Sequence, residues 1–167
     1  CGDDGLDTDF GYQGRIQFLY VMVGEVGHHG AEMDSAISDS NYDSQPRSFP
    51  QVFNALFVGH LYGSVQAGST DDTYEAIVRL REGTGGQFGN TIITNIGSYG
   101  VMNNECGSET KPDSFVGETA PDYLWWSSNN IMWNGGSGNG DSFDVRDACA
   151  DFAGSKEVDP ELTLMPT

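Results

Sequence analysis

Apolar residues in this chain fall into short runs that alternate with polar ones at a period of two, the pattern of strands that bury one face. The clearest are Ile77-Val78-Arg79-Leu80-Arg81 and Gln51-Val52-Phe53-Asn54-Ala55-Leu56-Phe57-Val58. Helical periodicity is nearly absent, and only Thr73 to Glu82 has a helix-friendly composition, so the chain is expected to be all-β. The run at Gln51 is echoed by Gln87-Phe88-Gly89-Asn90-Thr91-Ile92-Ile93-Thr94 at an offset of 87 − 51 = 36. Weaker copies are Gln17 to Val23, at 51 − 17 = 34, and Asn129-Asn130-Ile131-Met132, whose first Asn stands 129 − 90 = 39 from Asn90. An apolar strand that returns with an amide at a fixed place is how coils of a right-handed parallel β-helix read, with apolar residues stacked inward and Asn or Gln stacked in the turns.

A second set of short segments interleaves with the first: Gly5 to Asp9, Gly30 to Asp34 and Ala76 to Arg81. If each coil takes one strand from each set, the spacing exceeds a minimal coil of about 20 to 30 residues, so the loops Ser35 to Pro50 and Gly59 to Thr73 must bulge outward. The expectation is one domain over 1–167, a partial β-helix of about four to five coils with long loops, cut from a longer chain. A β-sandwich also uses short strands and Gly-rich turns, but it does not require one motif at near-constant spacing.

Alternation in the second set turns Leu6, Met33, Val78 and Leu80 inward and places Asp7, Asp9, Glu32, Asp34, Arg79 and Arg81 on one outer face. Stacked about 4.8 Å apart, these give ladders of Asp7 by Glu32 by Arg79 and of Asp9 by Asp34 by Arg81. Four carboxylates so close repel, and are relieved by the arginines, by raised carboxyl pKa values or by a bound cation. The face is then a solvated charge ladder, a metal or glycan site, or an acid/base site. His28 and His29 abut it, and because neighbours on a strand point opposite ways, at most one of them joins Glu32 and Asp34.

Charge sharpens the picture. Lys and Arg total 7 against 25 Asp and Glu, and the net charge of −18 repels nucleic acid and anionic lipid surfaces. The longest apolar run, Phe18 to Val23, is far short of the roughly 20 residues a membrane span needs, so no membrane insertion is expected. The acidic balance suits calcium-rich surroundings, and hard oxygen donors at Asp3, Asp7, Asp9, Glu32 and Asp34 are the candidate Ca²⁺ ligands. Cys1, Cys106 and Cys149 show no metal-binding spacing, which leaves disulfides as their use, with Cys106 paired to Cys149 and Cys1 bonded upstream or to another chain. That chemistry belongs to a secreted, extracellular or cell-surface protein. Of the adjacent Trp125 and Trp126, one should face inward and the other outward, where a sugar ring can stack on it.

No nucleotide-binding or serine-hydrolase motif is present. At Gly2-Asp3-Asp4-Gly5-Leu6-Asp7-Thr8-Asp9-Phe10-Gly11-Tyr12-Gln13-Gly14, Gly30-Ala31-Glu32-Met33-Asp34, Pro50 to Phe57 and Arg79-Leu80-Arg81-Glu82, the chain resembles secreted pectin-lyase-like β-helix proteins of marine microbes, a group without an established activity. It is more faintly similar to polygalacturonase-type glycoside hydrolases, whose coils carry Asp-Asp, Gly-His-Gly and Arg-Ile-Lys. Here stand Asp3-Asp4, Gly27-His28-His29-Gly30 and Arg79-Leu80-Arg81, with an extra His, Arg for Lys, and no accompanying Asn-Thr-Asp.

Two functions follow as expectations. The first is a structural or adhesive extracellular β-helix, calcium-stabilised, whose partners are polysaccharide or further copies of itself. The alternative is a polysaccharide hydrolase or lyase with Asp4 as general acid, Asp3 or Asp7 activating water, and His29 and Arg79 on the same face, an inverting geometry when the carboxyls stand about 6.5 to 9.5 Å apart.

Overall fold

A computed structural model of the chain describes residues 3–24, 27–35, 42, 45–60, 76–105, 116–117, 124–133, 141–146, 149, 152 and 154–162. Twelve strands are present among them: β1 (Asp7–Thr8), β2 (Arg15–Gln17), β3 (Tyr20–Met22), β4 (Ala31–Met33), β5 (Gln51–Val58), β6 (Ala76–Leu80), β7 (Gly86–Thr94), β8 (Tyr99–Asn103), β9 (Val116–Gly117), β10 (Leu124–Trp126), β11 (Ile131–Trp133) and β12 (Asp141–Val145). Every pairing between them is parallel. One sheet runs β1-β4-β6-β8-β12 and the other β2-β5-β7-β10-β9, with β3 on β5 and β11 on β7. The chain thus passes back and forth between two walls, with β2 and β3, and later β9, β10 and β11, lying consecutively on the second, while each wall grows as coil stacks on coil. This is a partial parallel β-helix.

The register confirms the main repeat to the residue. Gln51 lies opposite Gln87 and Val58 opposite Thr94, at the offset of 36. Ile131 lies opposite Ile92, at 131 − 92 = 39. The first copy needs correction: Arg15, not Gln17, faces Gln51, so the spacing there is 51 − 15 = 36 rather than 34. Matching amide to amide misplaced it by two residues, whereas the inward row decides the register, Ile16 lying beside Val52 and Val21 beside Phe57. The order of β9 was also unforeseen, since it stacks beyond β10 although it precedes it in the chain.

Inward rows fill the space between the walls. Phe57, Ile93 and Met132 form one, Val52, Phe88 and Trp126 a second, and Ala31, Val78 and Val101 a third from the opposite wall. Each large side chain so enclosed contributes about 1.5–3 kcal/mol, and identical alternation on successive strands lets the rows stack without gaps. Phe18, Asn54 and Asn90, each 36 residues apart, all take positive φ of 53 to 58° and bend the long wall at the same place in three coils. Asn tolerates that conformation, and Asn90 Nδ2 donates to Asn54 Oδ1 along the stack, the expected amide ladder. Phe18 holds the same place in the first coil and is 81% exposed.

The two ends of the stack differ. At the far end Phe152 stacks on Phe143 with centroids 4.8 Å apart and meets Trp126 edge-on, while Ser155 Oγ accepts from Trp126 Nε1 at 2.9 Å and Lys156 bridges to Ile131. The first coil leaves β1, β2 and β3 as edges, and Phe10, Phe18, Tyr20 and Met22 are exposed on it. No helix among the described residues is long and apolar enough to cross a membrane.

Candidate functional site

The five-stranded wall carries the charged rows on its outer side. Asp7, Glu32 and Arg79 are register partners on β1, β4 and β6, as the alternation required. Arg79 is only 2% exposed and is enclosed by its neighbours: Nη1 donates to Glu32 Oε1 at 3.1 Å, Nη2 to Glu105 Oε1 at 3.1 Å, and Nε to Asn104 Oδ1 at 3.4 Å. One residue pair along, Arg81 grips Asp34 through two bonds of 2.7 Å and lies 3.5 Å from Glu32 Oε2. Planar guanidinium matched to carboxylate in this way is the strongest ion-pair geometry proteins use. A solvated ladder is therefore not what forms. The rows face outward from the core yet are largely covered.

Burial sets the protonation equilibria of the group. It pushes Asp34 up to about 6 against the hydrogen bonds and charge of Arg81, and it raises Glu32 as well. Burial weakens the hold of Arg81 on its proton, but the bonds and charge of Asp34, with Glu32 beside it, more than offset this and the net direction is upward. At neutral pH the Arg81–Asp34 pair is ionic.

His29 joins this face and His28 does not, so one of the pair joins it, as expected, although strict alternation would have favoured His28, which shares the parity of Glu32. The His29 ring is 1% exposed, and its Nδ1 lies 2.6 Å from the carbonyl oxygen of Ala76. A carbonyl only accepts, so Nδ1 carries the proton and Nε2 presents its lone pair, 3.8 Å from Glu32 Oε1. Burial, with the positive charge of Arg79 further down the order of causes, lowers its pKa to about 4. The folded state therefore rejects a proton that the unfolded chain takes up below about 6.5. The contribution of neutral His29 to stability is complete above that value and is lost as pH falls toward 4. Asp34 works the other way over the same window, its raised pKa favouring the folded state as pH falls through 6. Because the two oppose, the global stability curve hides both, and the decisive measurement is site-specific: ring resonances of His29 should stay flat on acidification from neutrality and titrate with a midpoint near 4. A midpoint in the ordinary histidine range would show that the ring is open to water.

Asp4 and His28 lie at the margin of the face. Asp4 Oδ1 accepts from the His29 backbone N–H at 2.7 Å, which fixes the β1 approach to the wall. Burial raises its carboxyl pKa, with Asp3 adding to the effect. His28 Nδ1 lies 2.9 Å from Asp3 Oδ1, and one donor atom each from Asp3, Asp4 and His28 lie within 4.8 Å of one another. One nitrogen with two carboxylate oxygens is a transition-metal type of donor set, whereas Ca²⁺ prefers six to eight oxygens.

Of the proposed Ca²⁺ ligands, then, Asp3 stands with Asp4 and His28, Asp7 and Asp9 are exposed on the first coil, and Glu32 and Asp34 are engaged by arginines. Of the proposed catalytic residues, Asp4, His29 and Arg79 are linked by a chain of contacts that runs through Glu32, but His29 and Arg79 are enclosed rather than open, while Asp7 is exposed on the first coil. Trp126 is 1% exposed within the core and unavailable to a sugar, while its neighbour Trp125 is half-buried on the outer side of the other wall. Cys149 is disulfide-bonded; Cys106 lies outside the described residues, and so does the pairing expected for it. Cys1 and 134–140 also lie outside them. Sequence reasoning missed Asn104 and Glu105, which follow β8 and close Arg79 from the next coil. It also missed Arg47, a buried loop residue whose Nη1 donates to the carbonyls of Tyr42 and Gly83.

The family model described as pectate-lyase like beta helix domain matches residues 1–118. No curated protein and no solved structure matches the chain.

Proposed function

The chain belongs to the pectate-lyase-like β-helix family, and from that premise we propose that it acts outside the cell as a structural or adhesive β-helix that contacts polysaccharide without cleaving it. The observation that carries this reading is the closure of Arg79 and Arg81 by Glu32, Asp34 and Glu105. A guanidinium already bound by protein carboxylates has no donor fork left for an acidic sugar. The network instead ties three successive coils together across the wall. Calcium enters this reading as a screening ion for the net charge of −18, attracted by exposed Asp3, Asp7 and Asp9.

A second reading, polysaccharide hydrolase or lyase, is favoured by one specific observation: Asp4 is a half-buried carboxyl with raised pKa beside a second carboxylate, which suits a general acid. The two readings part on incubation with polygalacturonate and pectin, with and without Ca²⁺. The expected outcome is no new reducing ends and no unsaturated product from either the parent protein or Asp4→Asn. Product from the parent that disappears in Asp4→Asn would establish the enzyme reading.

A further inference from the structure

The outer side of the other wall carries a surface of different chemistry. Side chains alternate there as on any strand, and with Val52, Phe88 and Trp126 inside, their neighbours Gln51, Phe53, Gln87, Gly89 and Trp125 lie outside. In register these make two rows, Arg15-Gln51-Gln87-Trp125 and Gln17-Phe53-Gly89. Neither row contains a carboxylate, in a chain with 25 of them.

Glycine at 89 shapes the patch. A Cβ placed there would come within 2.7 Å of the Phe53 ring and 2.9 Å of the Trp125 ring, so both rings lie across the space a side chain would fill. Their centroids are 6.0 Å apart and their planes are tilted by 30°, the spacing of an offset aromatic pair. The result is a shallow aromatic platform over the glycine, formed by two half-buried residues. Beside it runs a polarised hydrogen-bond chain: Arg15 Nε donates to Gln51 Oε1 at 2.9 Å, and Gln51 Nε2 donates to Gln87 Oε1 at 2.7 Å. The last donor of that chain, the Gln87 amide nitrogen, has no partner among the described residues and belongs to the register partner of Trp125. An apolar ring face next to an amide donor is what a pyranose requires, since it offers C–H groups on one face and hydroxyls at its edge.

We infer that this platform, Phe53 and Trp125 over Gly89 with the Gln51–Gln87 amides alongside, binds a neutral, extended polysaccharide. The inference rests on the glycan contact proposed above and assigns it to the wall opposite the charged face. Neutrality follows from charge: Arg15 is the one cation of the two rows and is already bonded to Gln51, while the molecule as a whole carries −18 and repels a polyuronate. Coils about 4.8 Å apart give the amide row a repeating, linear track rather than a closed pocket, which suits a polymer better than a monosaccharide.

Titration of the whole chain with cellohexaose and laminarihexaose, followed by tryptophan fluorescence and calorimetry, tests the assignment. Binding is expected to perturb tryptophan emission, to weaken about tenfold in Trp125→Ala and to return in Trp125→Tyr. A second variant, Gln87→Ala, keeps the rings and is expected to weaken binding about threefold, which guards against a Trp125 variant that folds poorly. Neutral oligosaccharide that binds equally to the parent, Trp125→Ala and Gln87→Ala overturns this site and leaves glycan contact standing. Binding of polygalacturonate alone, weakened by salt, overturns the neutral assignment. No binding of any of these sugars overturns the site and the glycan part of the proposed function together.

Discussion

Replacing Arg79 with Met should lower the free energy of unfolding by about 3 kcal/mol, because it takes from the partly buried Glu32 and Glu105 carboxylates the cation they share. The loss comes mostly from what is left behind. Desolvated carboxylates cost several kcal/mol when unpaired, while a well-made pair roughly breaks even against apolar packing. The combined variant Arg79→Met, Glu32→Met, Glu105→Gln should therefore recover most of the loss, with the three-way coupling read from urea denaturation of the set. A single-variant loss well under about 1 kcal/mol would mean that water already solvates the ladder and that the wall is braced elsewhere.

Asn130→Ala should be comparably damaging, at about 2–4 kcal/mol, although it removes neither a charge nor a large side chain. Asn130 is fully buried and ties β7 to the fourth coil: its Oδ1 accepts from the Thr91 N–H at 3.0 Å, and its Nδ2 donates at 2.9 Å to the Phe88 carbonyl, which also accepts from the Ser127 N–H. The strands explain the need. Trp126 pairs with Phe88 at a spacing of 126 − 88 = 38, yet Ile131 pairs with Ile92 at 39, so the fourth coil holds one more residue than β7 across this stretch. The register shifts there and the side chain supplies the partner of the Thr91 N–H. Asn130→Asp should not rescue, since a carboxylate would still accept from Thr91 but would meet the Phe88 carbonyl with no proton to offer. Near-native stability of Asn130→Ala, with unchanged exchange of the Thr91 amide, would contradict this account.

Much of the fold was legible because period-two alternation and the 36-residue spacing are two independent signals of the same stacking. Alternation alone placed Asp7, Glu32 and Arg79 in one row and limited the histidines beside Glu32 to one, but the bend before β4 puts His29 there, where parity would have put His28. It likewise put one of Trp125 and Trp126 outside, and packing with Phe88, Phe143 and Phe152 explains why it is Trp126 that lies within. The closing partners of Arg79 were not legible. Its register neighbour on the next coil is Met102, and Glu105 reaches it only from beyond the strand end, a path no spacing rule describes. The aromatic platform was half legible for a similar reason: a tryptophan announces itself, but the glycine that lets two rings lie down carries no signal in a single sequence.

The spacing of 36 also bears on how much change the chain can absorb. Between β4 and β5 stand residues 34–50, and between β5 and β6 stand residues 59–75, which is 17 residues in each case. The first connection runs from the charged wall to the long wall and the second runs back. Equal periods here are sums of unlike parts, so stacking fixes where each strand returns, and a corner can lengthen or shorten without disturbing the row of side chains it serves.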